Sequence, residues 1–522
     1  MREPRGYHTA VVGRREVVVG SLVVAGCARS SQDAAAPAPA ANAHEPMWGV
    51  QSGEVTSDSA VVWSRADRTG SMEVEWSVSP SFANARAVAP VDVTPGRDLT
   101  AVTRLDGLPP DARIHYRTRF VTEGRRRSSW TAGSLRTPPL ADAARARDVT
   151  FAWSGDINGQ GWGIDDTRGG MPAFTTLLGR GPEFFVCVGD AIYADNPIPP
   201  SLPLPNGGTW TNLVTEGKSH IAQTLADYRD AFRYPRHSKE VRAFTAHVPT
   251  FSIWDDHEVR NNWWPGQIIQ DERWTERRTD VLMVHARRAM DEYAPVLPGT
   301  KTYRSFRWGP LLEVFLLDGR SFRTPNEPVP DPESFLGSTQ LAWLENALAR
   351  STATWKVVAC DMPVGLVVSE PGTIVKGAAY DGFANDDGPP RGRELELVRL
   401  FAAMKKRGVK NVVWISADVH YAAAHRFDPA RAQVGAKEMD PFWEFIAGPL
   451  HATAFPRKPL DDTFGPELVY ASTDHATIGT PAERRSQSFG LVRIDGATKT
   501  MTVTLVGGDD HELHVTVLRP VA

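Results

Sequence analysis

The stretch that decides the fold is Phe184-Phe185-Val186-Cys187-Val188-Gly189-Asp190-Ala191-Ile192-Tyr193. Unbroken apolar residues from Phe184 to Val188 suit a strand buried on both faces, as in a parallel sheet covered by helices. The run stops at a Gly-Asp turn, which puts a carboxylate just beyond the strand end. The same design recurs along the chain. Val149–Trp153 leads into Ser154-Gly155-Asp156-Ile157-Asn158, and Phe251–Trp254 into Asp255-Asp256-His257-Glu258. Val412–Ile415 leads into Ser416-Ala417-Asp418-Val419-His420. A fifth polar segment is Asp318-Gly319-Arg320. Carboxylates and imidazoles at strand ends converge on one edge of a sheet, where α/β proteins bind ligands.

Oxygen donors and histidine, with no cysteine among them, suit hard metals or iron better than a thiolate zinc site. Two metals about 3.5–4 Å apart can hold a phosphoryl oxygen and generate hydroxide at neutral pH. Asp190 is the natural bridging carboxylate, and Asp156 and Asp418 offer further hard ligands. Tyr193 can ligate as phenolate. His420, two residues from Asp418, can turn inward with it. Asp256 and His257 can serve as ligand and as proton donor to a leaving alkoxide. Taken singly, each piece has a bland reading: a structural turn, a solvated cap, or an Asp318–Arg320 ion pair that holds a loop. Their number and order carry the weight and imply a metal-dependent hydrolase.

Around this core the chain divides. Residues 47–140 show short alternating stretches (Ala60–Ser64, Met72–Val78, Ile114–Phe120, Ser134–Thr137) separated by Gly, Pro and Asp, the pattern of an all-β sandwich. Ala141–Arg147 reads as a linker. From residue 148 to 522 strands alternate with helices. Helices are expected at Met171–Leu178, Thr275–Tyr293, Ser338–Arg350 (with Ser338 as N-cap) and Arg393–Lys406, and two strands over Leu491–Leu518. Asn196–Gly217, polar and Pro-rich, reads as an insertion on the active face. Many of the 16 Trp fall beside the polar segments, either walling a pocket or filling core. Cys187 and Cys360 sit in apolar runs and read as buried free thiols.

The N-terminus reads as an address. Residues 1–27 combine Arg14-Arg15, the apolar run Val17–Gly26 and small residues before Cys27, a signal peptide of twin-arginine type that departs from the usual pattern at Gly13, Glu16 and Val17. The twin-arginine export machinery is thus an expected partner, and the destination is periplasmic or extracellular. Val24-Ala25-Gly26-Cys27 has two readings, a lipobox that anchors the chain through Cys27 or an ordinary signal removed with it. Residues 28–46, rich in Ala, Ser and Pro, read as a flexible tether. No later apolar run reaches the roughly 18 residues of a spanning helix, so the membrane enters only through such an anchor. A net charge of −4 gives no reason to expect nucleic acid as a bulk partner.

These residues resemble the alkaline phosphatase D (PhoD-like) branch of calcineurin-like metallophosphoesterases over most of the chain after residue 47. Trp48–Gly53 and Asp58–Arg65 resemble its N-terminal β-sandwich of Ig/fibronectin type. Gly189–Asp195, Trp254–Glu258 with Asn261-Asn262, Asp318–Arg323, Leu336–Gln340 with Trp343-Leu344, and Ser416–His420 resemble its catalytic motifs. The resemblance implies an α/β fold with a four-layer αββα catalytic domain and a dinuclear site holding Fe(III) and Ca(II). It places Asp156, Asp190, Tyr193 and His420 on the iron and Asp190, Asp256 and Asp418 on the calcium. It places His257 and Arg320 beside the phosphate. The implied function is hydrolysis of phosphate esters by metal-bound hydroxide. A diesterase acting on phospholipid or teichoic-acid-type polymers is the first alternative, and a non-catalytic surface-binding protein the second. One departure is Asp156, where many members carry Cys in a Ser-Cys-Gln segment; an Asp ligand is harder and can change the metal pair. Asp381–Gly388 also departs from the common form, with Asn385 or Asp386 either reaching the site or forming a polar loop.

Overall fold

The computed structural model describes residues 48–122, 124–326, 334–368, 380–473 and 479–521. The stretches read as signal peptide and tether, residues 1–46 with Cys27, lie outside them. Two antiparallel sheets open the described chain. One orders Val50–Gly53, Ser59–Arg65 and Thr100–Asp106; the other orders Arg86–Val93, Gly70–Ser77, Arg113–Thr122 and Thr131–Arg136. Alternation along these strands buries Met72, Val74, Trp76, Ile114, Tyr116 and Phe120 in a common core.

Two larger sheets follow. The six-stranded sheet orders Thr250–Ile253, Phe184–Val188, Val149–Ser154, Ser488–Ile494, Met501–Gly507 and Glu512–Leu518, the first three strands parallel. The seven-stranded sheet orders Arg304–Trp308, Leu312–Leu316, Trp355–Ala359, Val412–Ser416, Phe442–Ile446, Ala423–Phe427 and Pro466–Ala471. Its parallel strands run from Leu312–Leu316 through Phe442–Ile446.

Side-chain alternation sets the layers. Phe151, Trp153, Val186 and Val188 face Val357, Ala359, Val413 and Ile415 between the two sheets. Ala152, Phe185 and Cys187 point the other way, onto Phe174 and Leu177 of Ala173–Gly179 and Val241 and Phe244 of Lys239–His247. Val358, Cys360 and Trp414 likewise meet Leu341, Leu344, Leu397 and Leu400 of Gly337–Arg350 and Glu394–Lys406. The result is four layers, αββα. Trp153 Nε1 donates to Ser416 O at 3.2 Å and ties the sheets together near their functional edge. The N-terminal sheets pack onto this body: Trp63 Nε1 donates to Glu292 O at 2.7 Å, and Arg304 pairs with Glu54 at 2.5 Å.

Three local expectations are corrected. Ser338 is not the cap of its helix. The Glu396 carboxylate accepts from Phe335, Leu336 and Gly337 N–H instead, so a neighbouring helix supplies the cap. The helix expected from Thr275 begins at Thr279, because Arg277 and Arg278 are held extended against Ile268 and Ile269: Arg277 O accepts from Ile269 N–H, and Thr279 N–H donates to Gln267 O. The C-terminal part holds three strands, not two. Asp495 Oδ1 accepts from Ala497 and Thr498 N–H and turns the chain before Met501. Cys187 and Cys360 are buried and free.

Candidate metal centre

Six parallel strands each deliver an aspartate two residues beyond their ends. From the six-stranded sheet come Asp156, Asp190 and Asp255; from the other come Asp318, Asp361 and Asp418. The turns are tight. Asp156, Asp190, Asp418 and His420 all adopt the left-handed region, with φ of 59°, 49°, 64° and 61°. Such backbone is uncommon outside glycine and clusters at functional sites. Gly189, at φ 107°, leaves no room for a side chain, since a Cβ there would meet Asp255.

The loops bring together the residues the sequence singled out. Ligand atoms of Asp156, Asp190 and His420 lie within 4.8 Å of one another, as do those of Asp190, Asp256 and His257, and of Asp255, Asp256 and Asp418. Asp190 belongs to two of these groups, the placement a bridging carboxylate needs. Tyr193 Oη lies 2.6 Å from His420 Nε2, which lies 3.6 Å from Asp156 Oδ1. His420 Nδ1 donates to the Thr453 carbonyl, which fixes the tautomer and leaves Nε2 its lone pair. Burial holds His420 neutral, down to about 3.

The donor set fits a pair of hard cations. Both oxygens of Asp156 and Oδ1 of Asp256 are buried without a hydrogen-bond partner, although buried carboxylate oxygens are normally bonded. Burial, then repulsion from Asp418, pushes Asp156 well above the usual carboxylate range. Burial, then Asp256 and Asp255, does the same to Asp190, and burial with Asp256 lifts Asp418 to about 8. Cations among these groups relieve both the repulsion and the unmet lone pairs.

His257 stands at the rim of this cluster, its ring stacked on Tyr193 with centroids 4.1 Å apart. Its Nδ1 lies 2.6 Å from Asp195 Oδ1. Burial alone would lower its pKa; Asp195 and Asp256 lift it to about 9.

Arg320 is placed differently from the expectation. It is fully buried behind the aspartates, with Nε donating to Asp255 at 2.7 Å and Nη1 to Asp381 at 2.9 Å. Asp418 stands 3.9 Å away. The guanidinium is thus a fixed counter-charge for the carboxylates and is not free to contact phosphate. Nor does it pair with the Asp318 side chain, which accepts from Trp254 Nε1 and from Arg320 and Ser321 N–H. Asp381 accepts from Arg320 and Arg323, whereas Asn385 and Asp386 bond within their own loop or to Asp461 and Tyr380. The tryptophans nearest the site, Trp153, Trp254, Trp263 and Trp414, are core.

Several supporting residues escaped the sequence reading. Glu258 accepts from Asp190, Ala191 and Asp255 N–H and clamps two metal loops together. Lys218, buried just after the Asn196–Gly217 stretch, donates to the carbonyls of Tyr193 and Asn196. Phe455 stacks on His420 at 4.5 Å. Glu258 lies inside a quoted motif and Asp361 directly follows an apolar run, so both carried a readable signal; Lys218 and Phe455 carried none.

Residues 151–505 match the family model described as PhoD-like phosphatase, and residues 31–139 match that of the PhoD-like phosphatase N-terminal domain. The chain belongs to the PhoD-like phosphatase family. Alkaline phosphatase D of Bacillus subtilis (strain 168) is 28% identical over 403 residues, 71% of this chain. The match spans 64% of that curated relative's length. The solved structure of PhoD superposes with a TM-score of 0.66 at 19% identity, over 92% of each chain. Purple acid phosphatase PPD1 from yellow lupin (Lupinus luteus) seeds superposes at 0.57 and 11% identity, over 90% of this chain and 74% of that one. At these identities both likenesses are of fold.

Proposed function

We propose that this member of the family is an exported, metal-dependent hydrolase of phosphate esters. The observation that carries the reading is the convergence of Asp156, Asp190, Tyr193, Asp256, Asp418 and His420, with unbonded buried carboxylate oxygens among them, beside a His257 held by Asp195. Asp156, Asp190, Tyr193 and His420 would hold Fe(III); Asp190, Asp256 and Asp418 would hold Ca(II). Bound there, the pair supplies Lewis acidity toward the phosphoryl oxygens and an activated water at neutral pH.

The chain's own residues do the rest. Asp190 sets the spacing between the two halves of the site. Glu258 and Lys218 hold the loops that carry Asp190 and Tyr193. His257, oriented by Asp195, protonates the leaving oxygen. Arg320 offsets the charge of the aspartates from behind. The Asp at position 156 supplies an oxygen donor where many family members carry Cys, which favours a harder ion in that half of the site.

Export belongs to the same reading and is supported by Arg14-Arg15 and the apolar run up to Cys27. Expression with the leader intact and with Arg14-Arg15 changed to Lys-Lys tests it; protein exported equally well in both would remove the twin-arginine route. Lipidation at Cys27 is read out by mass spectrometry of the mature N-terminus.

The substrate class is tested by initial rates on p-nitrophenyl phosphate and bis-p-nitrophenyl phosphate after loading with iron and calcium. A faster monoester rate supports a general phosphatase. A faster diester rate moves the reading to a phosphodiesterase of lipid or envelope polymers.

A further inference from the structure

Behind the metal loops, where the N-terminal sheets meet the outer face of the six-stranded sheet, lies a cavity of about 110 Å³. Its walls are mostly apolar, with Phe174, Phe185 and Phe244 on one side and Met290 on another. Ile157 and Ala191, the neighbours of Asp156 and Asp190, also line it. Junctions between packed modules are where small-molecule pockets concentrate.

Among the described residues one cation lines this cavity, the partly buried Arg236, and it forms no ion pair. Arg236 Nη2 donates to the Tyr293 carbonyl at 2.7 Å, and its guanidinium lies 4.3 Å from the centroid of the Trp63 ring. Both partners are neutral. Its Nε is buried and unbonded, as is Oγ1 of Thr250, which lines the same cavity. Burial pushes Arg236 down to about 10. The fully buried Arg320 and Arg323 face Asp255 and Asp381, and the partly exposed Arg147 and Arg229 face Glu183 and Glu292. A buried N–H or hydroxyl without an acceptor or donor partner is costly.

We propose that this cavity binds a small organic anion, a carboxylate on an aromatic or short aliphatic body, with the carboxylate on Arg236 and the body among the Phe side chains. The carboxylate supplies the acceptor that Arg236 Nε lacks and a partner for the Thr250 hydroxyl. The apolar walls reject a fully hydrated ion such as free phosphate. At about 110 Å³ the cavity is smaller than the roughly 150 Å³ apolar cavity that takes up benzene, so a short aliphatic body fits inside it, and an aromatic one enters only with its charged end outside at the guanidinium.

The test is ligand-detected NMR and calorimetry on the full metal-loaded chain, with benzoate, benzyl alcohol and benzylamine as probes of one shape and three charges. Benzoate is expected to bind most tightly and benzylamine least. Arg236→Met should weaken benzoate at least tenfold and leave benzyl alcohol unchanged. Val241→Phe, which fills the cavity from the Lys239–His247 helix and keeps the arginine, should abolish binding of both. Benzoate binding no tighter than that of benzylamine overturns the proposal. So does benzoate binding that survives in the variants, which would put it at the metal centre or on the surface. If Arg236→Met does not fold, the charge order in the unmodified chain and the loss in Val241→Phe decide.

Discussion

Asp195 Oδ1 lies 2.6 Å from His257 Nδ1, while the other oxygen of Asp195 accepts from Asn261 N–H at 2.8 Å. The carboxylate is therefore fixed from both sides and leaves the imidazole one orientation, with Nε2 turned away from it. Asp195 in turn is held below the usual carboxylate range: burial opposes this, but His257 and the Asn261 N–H outweigh it. If His257 protonates the leaving oxygen, Asp195→Asn should lower kcat by about 10²-fold. The loss should be larger for an alkyl phosphate than for p-nitrophenyl phosphate, whose leaving group needs little protonation. An equal loss on both substrates would reduce Asp195 to a packing role.

Tyr193 Oη and His420 Nε2, 2.6 Å apart, face the same cluster of carboxylates. With Fe(III) in that half of the site, Tyr193 binds as phenolate and the loaded protein shows a visible charge-transfer band. Tyr193→Phe should abolish the band and retain the fold as judged by circular dichroism. A colourless iron-loaded protein, or a band that survives the substitution, removes Tyr193 from the ligand set.

Arg320 compensates charge at the back of the site. Arg320→Met leaves Asp255, Asp361 and Asp381 buried without their main cation. Removing one partner of such a network costs roughly 3–5 kcal/mol. The expected result is a marked fall in Tm. A variant with unchanged stability and a raised KM alone would instead restore Arg320 as a substrate contact.

Glu394 lies against Asp461 beneath the polar loop Asn385–Gly388, and burial, then Asp461, raises it to about 9. Its pKa is higher folded than unfolded, so the folded state binds the extra proton between about 4.5 and about 9. Stability therefore falls as pH rises through that window. Glu394→Gln keeps a neutral group and removes this slope. The Tm advantage of the variant should grow from pH 5 to pH 9. A difference independent of pH would show that no proton is held there.

What could be read from the sequence followed burial. Phe184–Val188 and Val412–Ile415 are apolar throughout because both faces of their strands are covered, so the aspartates after them stood out. The strand Leu312–Leu316 carries Glu313, whose carboxylate is engaged by Arg307 and Ser351, yet the apolar run Val314–Leu317 before Asp318 was as legible as the others. Arg320 could not be placed from its motif. Whether an arginine faces substrate or core depends on Asp255, Asp361 and Asp381, which are distant in sequence. The Glu396 cap replaced Ser338 for the same reason, since its acceptor comes from another helix. Lys218 acts through backbone carbonyls, which no residue pattern encodes.

The central claim is that Asp190 would hold both metals of a site that hydrolyses a phosphate ester. The most direct test is the initial rate on p-nitrophenyl phosphate of iron- and calcium-loaded protein, unmodified and with Asp190→Asn, each with its metal content measured. The account predicts a loss of roughly 10³-fold or more together with loss of bound metal. An Asp190→Asn protein that keeps most of its rate would contradict it.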